Sequence, residues 1–372
     1  MDACVTTISG HACTDTRPIG VLGLGHALPT HGWRTAALLD RMAERFGVDV
    51  KRAGRVVAKR LAVEHRYLCR ELNERHEGPR AGDSNAELAA RAVQDALRHA
   101  QLKADDLTYL IAHTATPGRL LPPNVAKVAD LLGYRGPIVE LRQACTGFAN
   151  ALQFATGLLH GPNAGPVAIV GSETGSVYFD PLRAADDHGQ LVNMLQMGDG
   201  AGACVLAGLE QWGERSGVGV LSHLYFGRED TSAAPALWLD GGSDAPLATN
   251  RAAEFTHDFA LVRECGPKLF AAGAAAARAM DIDLRAMDFI IPHQANGRIG
   301  SLLAPALGID ARRIFVHADR VGNTGSAAIW LALHALQARM RFGERAFVLG
   351  AEATQYTYGG FLYRAADGTM RA

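Results

Sequence analysis

The chain has 372 residues, of which 48% are hydrophobic and 20% are charged, which predicts an ordinary globular protein of one large or two fused domains. Its 37 basic and 38 acidic residues leave a net charge of −1, so no long-range field favours nucleic acid or a membrane surface. The sequence shows neither an apolar run near the ~20 residues that span a bilayer nor a signal peptide at its start. The six cysteines are scattered without a C-x-x-C pair, so we expect a cytoplasmic protein without a disulfide framework or a zinc site.

Composition and hydrophobic pattern divide the chain into four parts. Residues 1–18 mix Thr, Ser, Gly and His and are predicted to be a loose N-terminal tail. Residues 19–205 form a first α/β half, which a helical segment at 30–85, rich in Arg and Glu, interrupts as a cap-like insertion. Residues 206–260 are predicted to link the halves, and 261–372 to form the second half.

An internal repeat underlies this division, because a unit of one helix and one apolar strand occurs twice in each half. The four helices begin at or near Glu87, Cys145, Lys268 and Asn323, and the strands span 106–115, 166–173, 287–295 and 345–352. Helices that alternate with near-continuous apolar strands predict an α/β fold with buried, largely parallel strands. If a pseudo-two-fold axis relates the halves, the helix starts at Cys145 and Asn323 face one central site.

A lone cysteine stands where a loop turns into a helix, in the segment Gln-Ala-Cys-Thr-Gly-Phe-Ala-Asn at 143–150. The positive end of a helix dipole and its free backbone N–H groups favour the nucleophilic thiolate there. His293 and Asn323 also stand at the ends of apolar elements. Together with Cys145 they form a candidate nucleophile set. The alternative is a purely architectural repeat in which Cys145 is buried and inert.

These segments resemble the thiolase superfamily and, within it, the β-ketoacyl-acyl carrier protein synthase III group. The matching motifs are those of the nucleophile (144–148), the histidine (292–296), the asparagine (322–327), a Gly-rich stretch (197–203) and, more weakly, 60–66. The resemblance covers roughly residues 20–365. It implies a thiolase-like α/β fold, in which two pseudo-two-fold-related halves form a layered α-β-α-β-α core, and a homodimer.

By the same resemblance, Cys145 takes an acyl group from a coenzyme A or carrier-protein thioester. His293 and Asn323 then hold the thioester carbonyl of a malonyl unit on acyl carrier protein, whose decarboxylation gives the attacking enolate. Two uncharged donors suit an enolate oxygen. The chemistry requires no metal or redox cofactor, because the coenzyme A or phosphopantetheinyl thioesters are substrates. We therefore expect an acyltransferase that forms a carbon–carbon bond, with no nucleic-acid or membrane partner.

The sequence departs from the family at two places. Ala353-Thr354-Gln355 replaces a run of glycines, and the early tryptophan segment has no match at residues 51–60. These departures favour a specialised fatty-acid or polyketide-type pathway, with an acyl group that bears oxygen. Glu352 and its repeat partner Glu173 are interpreted as a structural pair, with an extra base at Glu352 as the alternative.

Other functions and two surface segments stay open. Cys145 could pass its acyl group to a hydroxyl, an amine or another non-malonyl acceptor, or the chain could be the non-catalytic partner subunit of a heterodimeric synthase. The basic residues at 52–60 suit a phosphopantetheine phosphate or an acidic carrier helix, with a solvated helix face as the alternative. Residues 120–123 stand where the family passes a loop into the neighbouring subunit's pocket, with an ordinary buried loop as the alternative.

Overall fold

The computed structural model describes residues 12–162, 164–212, 217–229, 234–249 and 251–366. A mixed sheet of ten strands forms the centre of these ranges, and two short strand pairs accompany it. The strands are β1 (Cys13–Asp15), β2 (Ile19–Ala27), β3 (Gly32–Arg34), β4 (His65–Tyr67), β5 (Tyr109–His113), β6 (Ile138–Leu141), β7 (Val167–Glu173), β8 (Gly200–Gly208), β9 (Gly219–Arg228), β10 (Leu237–Leu239), β11 (Phe255–His257), β12 (Phe289–Pro292), β13 (Arg345–Glu352) and β14 (Thr357–Ala365). The α-helices are α1 (Thr35–Phe46), α2 (Lys51–Leu61), α3 (Asn85–Ala100), α4 (Asn124–Leu132), α5 (Gly147–Leu159), α6 (His188–Gln196), α7 (Leu209–Trp212), α8 (Phe259–Ala279), α9 (Ile299–Leu307), α10 (Ala318–Val321) and α11 (Ala328–Gln337).

The central sheet consists of two similar halves that meet at one strand pair. The strand order is β2-β8-β7-β5-β6 in the first half and β9-β14-β13-β12 in the second. Residues 19–21 of β2 pair with residues 219–221 of β9 and join the halves. A parallel bridge from Ile290 of β12 to Ile314 stands where β6 pairs with β5 in the first half. The matching order confirms that the chain contains a duplicated α/β unit.

The strand directions differ from the expectation of a largely parallel sheet. β5 runs parallel to β6 and β7, and β12 runs parallel to β13, whereas the other strand pairs of the described sheet are antiparallel. The four-residue turn at 353–356 joins β13 directly to β14, and such a short connection permits only an antiparallel pair. The expectation was wrong because an unbroken apolar run indicates only that both faces of a strand are buried. Helices cover both faces of the antiparallel strands here as well, so the pattern did not distinguish the two directions.

Helices cover both faces of each half and create five layers. α3 packs on β2, β8 and β7, and α8 packs on β13 and β14, so these helices belong to the two outer layers. α5 contacts β5 and β7 of the first half and also β9 and β14 of the second, and α11 contacts both β8 and β12. These two helices therefore form the central layer, and the largest apolar cluster extends through them. The result is the predicted α-β-α-β-α core.

Regular structure occurs in three segments that were predicted to lie outside the repeat. Residues 13–15 of the predicted tail form β1, because they gain ladder hydrogen bonds with β9; residues 1–11 lie outside the described ranges. The predicted insertion at 30–85 contains α1, α2 and the paired strands β3 and β4. The predicted link at 206–260 contains β9. The pairing register of β9 with β14 shifts beside His223, which adopts a φ of 52°. The division into domains stays a prediction.

The two halves approach each other closely at Gly171 in β7. A Cβ at Gly171 would lie 2.2 Å from the carbonyl oxygen of Ser326 and 2.6 Å from the imidazole of His113. His113 is itself buried between the halves, and its Nε2 accepts a hydrogen bond of 3.2 Å from the indole N–H of Trp330 in α11. Burial lowers the pKa of His113 to about 3, so the ring is a neutral acceptor. A residue without a side chain is therefore required at position 171.

We expect Gly171→Ala to lower the free energy of unfolding by roughly 1–3 kcal/mol, as overpacking does in a close-packed interior. The measurement is urea unfolding followed by circular dichroism. Gly157→Ala in α5 is the matched control, because nothing lies within 4 Å of its added Cβ and alanine favours a helix by up to about 1 kcal/mol. Equal stability of the two variants would contradict this account of the contact.

Candidate active site

Cys145 lies in the loop between β6 and α5, two residues before the helix begins. The side chain is partly exposed, whereas the flanking Ala144 and Thr146 are buried. Thr146 is the N-cap of α5, and both its backbone N–H and its hydroxyl donate to Oε2 of Glu352 at 2.8 Å. Gln143 donates to the Thr146 hydroxyl oxygen at 3.1 Å. The loop that carries the thiol is therefore tied to the end of β13.

The electrostatic setting of Cys145 is the opposite of the one that the helix start predicts. Burial, followed by the carboxylates of Glu352 and Glu173, raises the pKa of the Cys145 thiol well above its usual range. The helix start does not compensate, because the carboxylate of Glu352 already accepts the N–H of the N-cap residue. The prediction that the helix start supplies a thiolate is therefore wrong, and the resting nucleophile is a thiol.

His293 follows β12, and its backbone N–H donates to the carbonyl of Leu349 in β13 at 2.8 Å. The imidazole is buried, and its Nδ1 has no hydrogen-bond partner among the described residues. Burial lowers the pKa of His293 to about 4, so the ring is neutral at pH 7. A neutral imidazole has one N–H donor and one free nitrogen acceptor for a bound molecule.

Asn323 lies in a tight crossing between the segment before α11 and the segment after α6. Its backbone N–H donates to Gln196 at 2.8 Å, and its carbonyl accepts from Gly198 at 3.0 Å. The side-chain Oδ1 accepts from the backbone N–H of Gly325 at 3.1 Å. Because that N–H requires an acceptor, it fixes the orientation of the amide and leaves Nδ2 as the group available to a ligand.

Hydrogen bonds link the three loops in a closed ring. Ser326, three residues after Asn323, has its Oγ 3.2 Å from the carbonyl oxygen of Gln143 in the cysteine loop. Gln196 joins the other two loops, because its carbonyl accepts from Asn323 and its Nε2 donates to the carbonyl of Ala295 at 2.7 Å. The strand pair β12–β13 and Glu352 complete the ring back to the cysteine loop. The structure thus brings together the three segments that the sequence predicts.

Two buried carboxylates occupy matching places in the halves. Glu173 ends β7 and accepts from the backbone N–H of Ser326 at 3.1 Å, and Glu352 ends β13 and accepts from that of Thr146. Each carboxylate therefore holds the loop before the central helix of the opposite half. Burial raises the pKa of Glu173 to about 7. These contacts support the interpretation of a structural pair.

In the loop that replaces the family's glycines, the side chain of Gln355 does not occupy a buried space. The Gln355 side chain is exposed, and the Thr354 hydroxyl donates to Oε1 of Glu352. Tyr356 adopts a φ of 53°, which closes the turn into β14. The Gln355 side chain therefore points to solvent and does not occupy an acyl pocket. The loop region acts on the thiol through the carboxylate of Glu352, to which Thr354 donates.

A cleft of about 1190 Å³ opens beside the histidine loop. α2, α6, α8 and α9 form its walls, and it reaches Gln196, Ala295 and Asn296, which adjoin two of the three site residues. Most of its wall is apolar, and four arginines contribute to the lining: Arg60, Arg263, Arg278 and Arg285. A long, mostly apolar cleft with basic groups suits a flexible organic chain that ends in an anion.

Sequence reasoning missed the residues that connect the loops. Gln196 and Ser326 are buried polar residues in apolar surroundings, and no spacing rule marks them. The Gly-rich stretch forms a tight backbone crossing, because a Cβ at Gly198 would lie 2.0 Å from the carbonyl oxygen of Val321. That crossing carries Asn323, so the glycines serve the site indirectly.

In the described part of the chain, no helix is long and apolar enough to cross a membrane.

Comparison with known proteins agrees with this geometry. Two family models match, 3-oxoacyl-[acyl-carrier-protein] synthase III at residues 139–221 and its C-terminal domain at residues 277–365. The β-ketoacyl-[acyl-carrier-protein] synthase III of Allorhizobium ampelinum is 30% identical over 352 residues, which cover 92% of this chain and 98% of that protein. This chain belongs to the 3-oxoacyl-[acyl-carrier-protein] synthase III family. It is accordingly an acyltransferase of the condensing-enzyme type.

Solved structures of 3-oxoacyl-[acyl-carrier-protein] synthase III enzymes share the fold. The synthase III from Pseudomonas aeruginosa superposes with a TM-score of 0.74 at 26% identity, over 95% of this chain and 100% of that one. A tetronic acid condensing enzyme superposes with a TM-score of 0.80 over 93% of this chain and 99% of that one; at 24% identity it shows the fold alone. The predicted thiolase-like α/β class and the family resemblance are confirmed. The roles of Cys145, His293 and Asn323 stay predictions.

We expect Glu352→Gln to lower the pKa of Cys145, because it removes the negative charge that most opposes the thiolate while it keeps an acceptor for Thr146. The measurement is the pH dependence of iodoacetamide alkylation, read on the Cys145 peptide by mass spectrometry. Glu173→Gln is the matched control and should shift the alkylation profile in the same direction by less. An unchanged or higher pKa in Glu352→Gln would show that this carboxylate does not hold the thiol in its neutral form.

Proposed function

We propose that this enzyme loads an acyl group from a coenzyme A or carrier-protein thioester onto Cys145. It then condenses that group with a malonyl-type thioester on a carrier protein, with loss of carbon dioxide. The observation that carries this proposal is the closed hydrogen-bonded ring that brings the loops of Cys145, His293 and Asn323 together. Family membership supports the reaction class. The proposed chemistry uses no metal or redox cofactor.

The first half-reaction needs a proton acceptor, because Cys145 rests as a thiol. The neutral imidazole of His293 is the candidate base. As sulfur attacks the thioester carbonyl, the imidazole takes the thiol proton, and the new imidazolium stabilises the thiolate by opposite charge. The carbon–sulfur bond to the donor breaks, and the departing thiolate takes the proton back from the imidazolium. The products are acyl-Cys145 and the free thiol of the donor.

The second half-reaction develops negative charge on an oxygen rather than on sulfur. When the malonyl carboxylate leaves as carbon dioxide, its electron pair moves into the thioester as an enolate. The N–H of neutral His293 and Nδ2 of Asn323 supply two donors to that enolate oxygen. The enolate carbon attacks the carbonyl of acyl-Cys145, the Cys145 sulfur leaves as a thiolate, and it takes up one proton from solvent to restore the thiol. Uncharged donors are suitable because they do not quench the carbanion.

The cleft beside the histidine loop is the proposed site of the pantetheine arm. Its apolar walls suit the arm, and Arg60 at the end of α2 stands among the arginines that suit the phosphate. Glu352, whose charge acts on the thiol, and Thr354, which donates to Glu352, are polar groups that suit an oxygen-bearing acyl group better than a plain alkyl chain. We therefore also propose a specialised fatty-acid or polyketide-type substrate.

Intact-protein mass spectrometry tests the nucleophile and the acyl preference. After incubation with acetyl, medium-chain, hydroxylated and aryl thioesters, we expect one acyl group on wild type and none on Cys145→Ala. The remaining cysteines, such as the exposed Cys13, serve as internal controls. A second incubation with a malonyl thioester distinguishes condensation from transfer by the mass of the product. Acylation that persists in Cys145→Ala would contradict the proposal, and a large preference for acetyl would contradict the specialised substrate.

Asn323 is proposed to act in the second half-reaction only, so we expect Asn323→Ala to slow that step and to leave the first one intact. Acyl-Cys145 should still form, whereas product formation should fall by an amount that corresponds to roughly 2.7–4 kcal/mol of barrier, because one enolate donor is lost. Rapid-quench measurement of both steps checks this split. Asn193→Ala, which alters a buried asparagine outside the three loops, is the control for a general structural effect. Equal losses in both steps would assign Asn323 a structural role.

We propose that the enzyme is a homodimer. β6 stands at the end of the sheet with every residue half-buried, and the neighbouring Phe154 in α5 is 50% exposed. Leu120 and Leu121 are also exposed, contrary to an ordinary buried loop. An unpaired edge with exposed apolar groups requires cover.

Light scattering at micromolar concentration should give twice the mass of the chain. We expect the dimer interface to bury more than about 1,200 Å². Phe154→Glu should produce monomer, whereas Phe342→Glu, at an equally apolar residue that is 69% exposed elsewhere, should not. A monomeric wild type would contradict the homodimer.

A further inference from the structure

Two histidines and one aspartate converge at a place that the proposed reaction does not use. His26 lies near the end of β2, Asp95 in α3 and His334 in α11. Nδ1 of His26 is 3.3 Å from Oδ2 of Asp95, and the rings of His26 and His334 are 4.3 Å apart between centroids. One ligand atom of each residue lies within 4.8 Å of those of the other two. These distances describe a compact N₂O set.

The geometry suits a transition-metal ion. Bonds of about 2.0–2.1 Å in a tetrahedral site place two ligand atoms about 3.4 Å apart, which is close to the His26–Asp95 separation. The other ligand atoms of the set lie within 4.8 Å of one another, and the His26 side chain is 45% exposed. The same exposure gives an ion access from solvent. The fourth position would remain open to water.

The surroundings orient the carboxylate of Asp95. Oδ2 of Asp95 accepts from the backbone N–H of His26 at 3.0 Å, and its other oxygen accepts from Arg98. Such outer hydrogen bonds are what hold a metal-binding carboxylate in place. His99 is adjacent, but its Nδ1 lies 2.6 Å from the carbonyl oxygen of Leu24 and is engaged there.

We propose that His26, Asp95 and His334 bind one Zn²⁺ ion. Two imidazoles and one carboxylate favour a borderline ion such as Zn²⁺, whereas Mg²⁺ and Ca²⁺ prefer oxygen ligands alone. His26 and Asp95 belong to the first half of the chain and His334 belongs to the second. The bound ion therefore links the two halves. The ion stabilises the native state and takes no part in the proposed condensation.

The test uses tag-free wild-type protein, stripped with a chelator and titrated with Zn²⁺ by calorimetry. We expect one ion per chain at this set and a higher midpoint of thermal unfolding when Zn²⁺ is present, because a ligand that binds the native state stabilises it. X-ray absorption should show nitrogen and oxygen at about 2.0 Å and no sulfur at about 2.3 Å, which distinguishes this site from a cysteine site. Mg²⁺ should produce neither saturable binding nor a thermal shift.

Variants locate the site. His26→Ala and Asp95→Asn should weaken Zn²⁺ binding by roughly 10–100-fold or more, since even the loss of an outer partner has an effect of that size. Both should also lose the thermal shift. His31→Ala is the matched control, an exposed histidine outside the set. His26 is itself exposed enough that its variant is expected to fold. Unchanged binding in His26→Ala, sulfur in the absorption spectrum, or the absence of saturable binding to wild type would each overturn the proposal.

Discussion

Two carboxylates buried between the halves hold the structure of the site. Glu173 and Glu352 each end a strand in one half and accept the backbone N–H and the hydroxyl of a residue that precedes the central helix of the other half. A buried carboxylate is costly unless donors surround it. The opposite half supplies two donors to one oxygen of each carboxylate, and a threonine of the same half, Thr116 or Thr354, donates to the other oxygen. The two halves are therefore mutually dependent, because each provides two of the donors that stabilise the other's buried glutamate.

The same arrangement determines the state of the nucleophile. A helix start can stabilise one anion well, and in this protein the carboxylate of Glu352 accepts the N-cap N–H of α5. The thiol one residue earlier then encounters negative charge and burial rather than a positive field. Cys145 is therefore a nucleophile that becomes reactive when a base removes its proton and a thioester is present to consume the thiolate. An uncharged thiol is also less prone to react with oxidants and alkylating agents between turnovers.

The sequence allowed the duplicated α/β plan and the three site segments to be predicted, because helices, apolar strands and polar residues at element ends are local patterns. The strand directions were missed because an unbroken apolar run indicates burial on both faces and carries no information about direction. Two other features were not local. The environment of Cys145 depends on a glutamate 207 positions later in the chain. Ser326 and Gln196 look like ordinary polar residues until the loops that they connect are adjacent. The ionisation state of Cys145 was predicted wrongly for the same reason. A sequence pattern indicates where a helix begins, but it does not indicate that a distant carboxylate, Glu352, accepts the N–H group at that helix start.

The separation of these contacts along the chain has a consequence for biosynthesis. Thr146 and Glu352 are 206 positions apart, and Ser326 and Glu173 are 153 apart. Chains emerge from the ribosome at about 5–20 residues per second, and amino-terminal units fold first where they can. The first half emerges before Glu352 can hold its nucleophile loop and before Ser326 can donate to Glu173. The nascent first half can therefore collapse, but the thioester-binding centre closes only after β13 has been synthesised.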